Sequence, residues 1–207
     1  MKIIRCEDSL FPYIAYVPDH CSDHPALLIQ LHGAGERGNG GKDLEQVLVH
    51  GFSNVATDEN LTDCILVMPQ CPTGSFWAAR VESIKTFIDG LVARYDADLS
   101  RIYLCGLSMG GYGTWYTAMA YPEFFAAILP CCGGGMAWNA DVLTMPIWAF
   151  HGREDPEVSV SQTLEMAEVL ERTNPNFRCT IFEGVAHNCW TPAMNLERLQ
   201  WLLSQKK

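Results

Sequence analysis

The chain has 207 residues, 48% of them hydrophobic and 18% charged, which is enough to bury the core of one domain and too apolar for a disordered or low-complexity protein. Lys and Arg number 14 against 24 Asp and Glu, and the formal net charge of -10 disfavours nucleic acid and anionic membranes as partners. The nine cysteines form no CxxC pair, and Cys64, Cys105 and Cys179 sit in or beside apolar runs, so they read as free thiols rather than a disulfide framework. The N-terminal MKIIRCEDSLFPY carries charges where a secretory signal would be apolar, and no run approaches the length of a membrane span. The cytoplasm is therefore the expected compartment.

In chain order, residues 13–17 predict an antiparallel strand at one sheet edge. Short apolar runs follow at 26–31, 64–68, 101–105, 125–129, 147–150 and 178–182, alternating with segments of helical period. That alternation predicts an α/β fold with a mostly parallel sheet and helices on both faces. Val81, Ile84, Ile88, Leu91, Val92 and Tyr95 share one face of a helix. Leu164, Ala167 and Leu170 begin another such face, and residues 193–203 read as a closing helix. No repeat or linker interrupts the pattern, so residues 1–207 read as a single domain. Residues 131–146, CCGGGMAWNADVLTMP, are too few for a cap domain, which predicts an open site.

The sharpest local signal is RIYLCGLSMGGYG at 101–113, a β-type run leading through Gly106-Leu107-Ser108-Met109-Gly110 into a helix-compatible stretch. In this G-x-S-x-G arrangement a tight strand-to-helix turn strains the Ser backbone, and the glycines keep side chains off the flanking strand and helix. Ser108 is the candidate nucleophile, against the plainer reading of a Gly-rich turn with an incidental Ser. Residues 27–35, LLIQLHGAG, predict a buried strand that ends in a Gly-rich loop. The backbone N–H groups of Ala34 and Met109 are the candidate oxyanion donors, with Gly35 as the alternative to Ala34. A phosphate loop is the rival reading, but neither a Walker Lys-Ser/Thr pair nor a G-x-G-x-x-G arrangement is present.

Two later strand ends carry the remaining chemistry. HGREDPEV follows the run at 147–150 and offers Asp155, with Glu154 and Glu157 as competitors. EGVAHN follows the run at 178–182 and offers His187. In a parallel sheet the strand C-termini share an edge, so the loops bearing Ser108, Asp155 and His187 are expected to converge. The order Ser, Asp, His also fits this fold and differs from other serine hydrolase orders. His32 and His151 each precede a Gly at a strand end and read better as hydrogen-bonded structural residues.

With these segments in place, the chain resembles the α/β-hydrolase superfamily, in particular the compact lidless esterases of the phospholipase/carboxylesterase, dienelactone-hydrolase-like and feruloyl or acetyl esterase groups. LHGAGERG, MPQCPTGSFW, GLSMGGYGTW, WAFHGREDPEV and EGVAHNCW carry the resemblance, in the family's order and over nearly the whole chain. It implies a triad of Ser108, Asp155 and His187, oxyanion donors at Ala34 and Met109, and substrate-binding residues at Gln70, Trp77 and Trp190. Relatives that hydrolyse dienelactones use Cys where this chain has Ser108, which argues against that substrate.

The expected activity is carboxylic-ester hydrolysis through an acyl-enzyme, on short or aromatic acyl esters of carbohydrate-like or other bulky alcohols rather than long-chain lipids. Trp77, Trp138 and Trp190 are expected as flat aromatic faces at the open rim. A serine peptidase or acyl thioesterase with the same triad is the alternative, and a noncatalytic binding module on the same fold is a further one. No cofactor is required and no metal site is expected, because the cysteines and histidines do not fall into a zinc spacing. The sequence carries no signal of oligomeric state.

Overall fold

Strands buried along their whole length need cover on both faces, and the apolar runs of this chain supply such strands. The computed structural model describes residues 1–207. One eight-stranded sheet contains β1 (Lys2–Cys6), β2 (Tyr13–Val17), β3 (Ala26–Leu31), β4 (Cys64–Pro69), β5 (Ile102–Leu107), β6 (Ala127–Cys131), β7 (Ile147–Gly152) and β8 (Phe177–Phe182). The spatial order is β1-β2-β4-β3-β5-β6-β7-β8. β1, β2 and β4 pair antiparallel, and every pairing from β4 through β3 to β8 is parallel. The helices are α1 (Asp58–Leu61), α2 (Val81–Tyr95), α3 (Met109–Ala120), α4 (Ser161–Thr173), α5 (Trp190–Ala193) and α6 (Leu196–Leu203).

The period-2 alternation of β5 divides the core. Ile102 and Leu104 face α2 and α3 through Ile84, Ile88 and Trp115, while Tyr103, Cys105 and Leu107 face the side closed by Leu199 and Leu202 of α6. The predicted helix at 81–95 buries Ile84, Phe87, Ile88 and Leu91, and it stops where Asp96 adopts a left-handed φ of 49°.

Two expectations require correction. The segment Tyr13–Val17 is not the sheet edge, because β1 pairs outside it; β1 presents Lys2 and Arg5 outward, charges that discourage further strand pairing. On α4 the buried face comprises Thr163, Met166, Ala167 and Leu170, leaving Leu164 exposed. The segment after β6 forms a short 3-10 turn over Ala137–Val142 and no cap. No helix is long and apolar enough to cross a membrane.

The parallel strands all end at one edge of the sheet. The connections that leave β3, β5, β7 and β8 there bear residues 32–36, Ser108, Asp155 and His187.

Candidate active site

Ser108 occupies the single residue between β5 and α3, with φ 54° and ψ -117°. Such a backbone costs a non-glycine residue about 1–3 kcal/mol and persists only where its surroundings hold it. Here the Ser108 N–H donates to the Cys131 carbonyl at 2.9 Å. Tight packing also explains the flanking glycines: a Cβ on Gly106 would lie 2.2 Å from the Gly110 oxygen, and one on Gly110 would lie 2.0 Å from the Leu31 oxygen. The pattern read from the sequence is thus a steric necessity of this turn.

Asp155 Oδ1 accepts the backbone N–H groups of Glu157 and Val158, both at 2.9 Å, which folds the loop after β7 into a turn around the carboxylate. Its Oδ2 accepts from His187 Nδ1 at 2.7 Å. His187 Nε2 then lies 2.8 Å from Ser108 Oγ, positioned to accept the hydroxyl proton. Burial alone would raise the Asp155 carboxyl, but the hydrogen bonds from His187, Val158 and Glu157 outweigh it and hold the group below its ordinary value. The loop carrying His187 passes close over the end of β7, where a Cβ on Gly152 would meet the Ala186 oxygen at 2.2 Å.

His151 does not compete for the role of base. It is fully buried, with Nδ1 2.7 Å from Thr163 Oγ1 and Nε2 2.9 Å from the Val158 carbonyl. His32 is equally committed: Nδ1 donates to the Gly33 carbonyl at 2.6 Å and Nε2 accepts the Cys71 N–H at 2.9 Å. Burial, only partly opposed by the Gly33 carbonyl, pushes its imidazole down to about 4. Its contacts fix the start of the 3-10 turn Ala34–Glu36. The backbone N–H groups of Ala34 and Met109 donate to no other group of the chain.

The resemblance misplaces two side chains. Trp77 is fully buried, its Nε1 donating to the His32 carbonyl at 3.0 Å and its ring edge-on to His32 and Phe11. Gln70 is also fully buried, donating to the Glu36 and Asp43 carbonyls and accepting the Gly40 N–H. Both brace the loop after β3 from behind, since a strand-end position fixes the backbone but leaves the side chain free to point inward. Trp138 is 80% exposed and lines neither cleft beside Ser108.

Trp190, in contrast, does line the site. It stands edge-on to His187 with centroids 5.3 Å apart and forms one wall of a cleft of about 410 Å³, together with Ala34, Glu36, Ser108, Glu157 and His187. A second cleft, of about 380 Å³, opens on the other side of Ser108 and is lined by Phe76, Ala78, Met109, Tyr112 and Tyr116. Sequence reasoning missed this second wall. Its signal was present, because Met109, Tyr112 and Tyr116 recur at i, i+3 and i+7 on one helical face. Cys132, Asp155 and His187 bring metal-type donor atoms within 4.8 Å of one another, but Asp155 and His187 are already hydrogen-bonded together.

Known proteins resemble the chain in sequence and in fold. The chain is 28% identical over 170 residues to a bifunctional acetylxylan esterase/xylanase of Neocallimastix patriciarum, covering 79% of this chain and 24% of that protein. It is 26% identical over 203 residues to feruloyl esterase B of Neurospora crassa, covering 90% and 67%. The crystal structure of a thermostable esterase superimposes with a TM-score of 0.88 at 31% identity, covering all of this chain and 63% of that one. Acetyl xylan esterase from Aspergillus awamori shares the fold at a TM-score of 0.70 and 16% identity, covering 97% and 98%. The chain thus spans about a quarter of the bifunctional enzyme and somewhat under two thirds of the thermostable esterase. The phospholipase/carboxylesterase family profile matches residues 75–198, from the segment before α2 into α6. The chain belongs to the phospholipase/carboxylesterase family of α/β hydrolases.

Proposed function

We propose that the chain is a serine carboxylic-ester hydrolase, with Ser108 as nucleophile, His187 as general base and acid, and Asp155 as the group that orients His187. The carrying observation is the continuous hydrogen-bonded line from Asp155 Oδ2 through His187 to Ser108 Oγ, at 2.7 and 2.8 Å. In this reading His187 Nε2 takes the Ser108 proton as Oγ bonds to the ester carbonyl carbon, and the carbonyl electrons move onto oxygen. The N–H groups of Ala34 and Met109, together with the N-terminus of α3, stabilise that oxyanion. Collapse breaks the bond to the alcohol oxygen, which leaves with the proton from His187. Water then adds to the acyl-enzyme, giving its proton to His187, and the second collapse releases the acid and returns the proton to Ser108.

The substrate class in this proposal is a short or aromatic acyl ester of a carbohydrate-like alcohol. Esterases of acetylxylan and feruloyl esters among the relatives support it. Residues 1–207 act as one domain in this reading, and the nine free cysteines favour a cytoplasmic setting.

Labelling with a fluorophosphonate, followed by peptide mapping, tests the assignment. Modification should fall on Ser108 alone and vanish in Ser108→Ala. His187→Ala and Asp155→Asn should fold normally and lose at least about 1,000-fold in kcat on p-nitrophenyl acetate. Labelling of another residue, or full turnover by Ser108→Ala, would overturn the proposal. A kcat/KM series over acetyl, feruloyl and palmitoyl esters, with matched thioesters, checks the substrate class, which a preference for palmitoyl esters or for thioesters would refute.

A further inference from the structure

We infer that Ser108 stands on a divide between two clefts that take opposite halves of the ester: a neutral, hydroxyl-rich alcohol on the Glu36–Trp190 side, and an aromatic acyl group on the Phe76–Tyr116 side. The inference rests on the esterase reading above and assigns residues to each half of the substrate.

The direction follows from the proton. His187 must deliver it from Nε2 to the departing alcohol oxygen, so that oxygen has to lie on the His187 side of the tetrahedral carbon. Only one of the two clefts beside Ser108 has His187 in its wall, the one shared with Glu36, Glu157 and Trp190. The acyl substituent then points away from His187, towards the cleft whose walls include Ser108 and Met109 but not His187.

The chemistry of each wall selects its occupant. Phe76, Ala78, Met109, Tyr112 and Tyr116 offer an apolar, aromatic surface, and Phe76 is 55% exposed there. A planar acyl group can stack on such rings. The opposite cleft has two carboxylates, Glu36 and Glu157, and no Lys or Arg, so an anionic alcohol such as a sugar phosphate is repelled. Glu36 is only 12% exposed: its Oε2 is buried without a hydrogen-bond partner, 3.8 Å from His32 Nδ1, while its Oε1 lies 3.8 Å from His50 Nε2. A substrate hydroxyl in this cleft would donate to the other carboxylate oxygen, Oε1, which accepts no hydrogen bond from the chain. Trp190, flanked by His50 and His187 with centroids 5.3 Å from each, supplies a flat wall for a sugar ring.

The test crosses acyl group with alcohol: methyl acetate, methyl ferulate, a monoacetylated methyl xyloside and acetylated glycerol phosphate, with ratios of kcat/KM cancelling any general loss of activity. Phe76→Ala and Tyr116→Ala should each lower the methyl ferulate to methyl acetate ratio about tenfold, whereas Trp190→Ala and Glu36→Ala should lower the acetyl xyloside to methyl acetate ratio about tenfold. The glycerol phosphate ester should be the poorest substrate of the unaltered protein, and Glu36→Ala should improve it relative to methyl acetate. A crossed result, in which Trp190→Ala changes the ferulate ratio and Phe76→Ala changes the xyloside ratio, would overturn the orientation. Equal effects of all variants on all ratios would do the same. Absence of phosphonate labelling at Ser108 in the unaltered protein would instead refute the esterase reading, and the cleft assignment with it.

Discussion

His151 Nε2 lies 3.3 Å from Asp155 Oδ2, the same oxygen that His187 Nδ1 reaches at 2.7 Å. One carboxylate oxygen therefore faces two imidazoles, one fully buried and one in the cleft. The buried ring is held by Thr163 Oγ1, which donates onward to the Gly133 carbonyl, and it meets the Val158 carbonyl within the Asp155 turn. His151 thus connects α4 and the segment after β6 to the loop that sets the Asp155 carboxylate. We expect His151→Gln to lose about 1–3 kcal/mol of stability, since it leaves buried partners unmatched, and to lower kcat by about tenfold. Urea unfolding and p-nitrophenyl acetate turnover measure the two effects. A loss as large as that of His187→Ala would show that the base has been misassigned.

The turn at Ser108 admits a purely steric test. Gly110→Ala would place a methyl group 2.0 Å from the Leu31 oxygen and 2.8 Å from that of His32. Both contacts are with backbone, so no flexible side chain can yield. We expect a destabilisation of about 3 kcal/mol or more, at the upper end of overpacking effects. Gly35→Ala is the matched control, because a Cβ there meets nothing within 4 Å. Equal thermal stability of the two variants would contradict the packing described for the elbow.

Where the backbone dictates residue type, the sequence could be read directly. Gly106, Ser108 and Gly110 follow from one steric constraint, and Asp155 and His187 follow from strand order once the sheet is taken as parallel. Side-chain direction was less legible. Trp77 and Gln70 lie near the correct sheet edge but turn inward, one against Phe11 and His32 and the other into the loop carbonyls. The strand Lys2–Cys6 escaped notice because an edge strand with exposed Lys2, Ile3 and Arg5 lacks the buried apolar run that marked the others. For the second cleft the sequence shows only half of the wall: Met109, Tyr112 and Tyr116 share a helical face, but Phe76 joins them only in the folded chain.

The two tryptophans expected at the pocket should now separate experimentally. Trp77 is buried against Phe11, His32 and Gly113, whose Cβ position lies 2.5 Å from that of Trp77. Trp77→Ala should cost about 3–5 kcal/mol in stability, the usual price of a large cavity. Trp190→Ala, at a half-buried position, should cost far less and act instead on esters with bulky alcohols. Chemical denaturation with parallel kinetics on methyl and xyloside esters reads both. A Trp77→Ala protein with unaltered stability would contradict the place of Trp77 in the core.

His32 provides a pH-dependent signature of the loop that carries Ala34. Its imidazole is displaced from 6.5 to about 4, chiefly by burial, so between those values the native state binds fewer protons at this site than the unfolded chain. Stability from this group is complete above 6.5 and is lost as pH falls through that window towards 4. The displacement corresponds to about 3 kcal/mol over the full interval. Asp155 moves the same way but lower, since its carboxyl is held below 3.8, so its contribution is lost beneath the His32 window. His32→Gln removes the titration while leaving a side-chain carbonyl to accept the Cys71 N–H that His32 Nε2 now accepts at 2.9 Å. Urea unfolding between pH 7 and 4.5 should show a steep decline for the unaltered protein and a flatter one for His32→Gln, even if the variant is less stable at pH 7. Parallel profiles would mean that His32 takes up its proton in the folded state as easily as in the unfolded one, which the Cys71 N–H donated to its Nε2 and its burial beside Trp77 argue against.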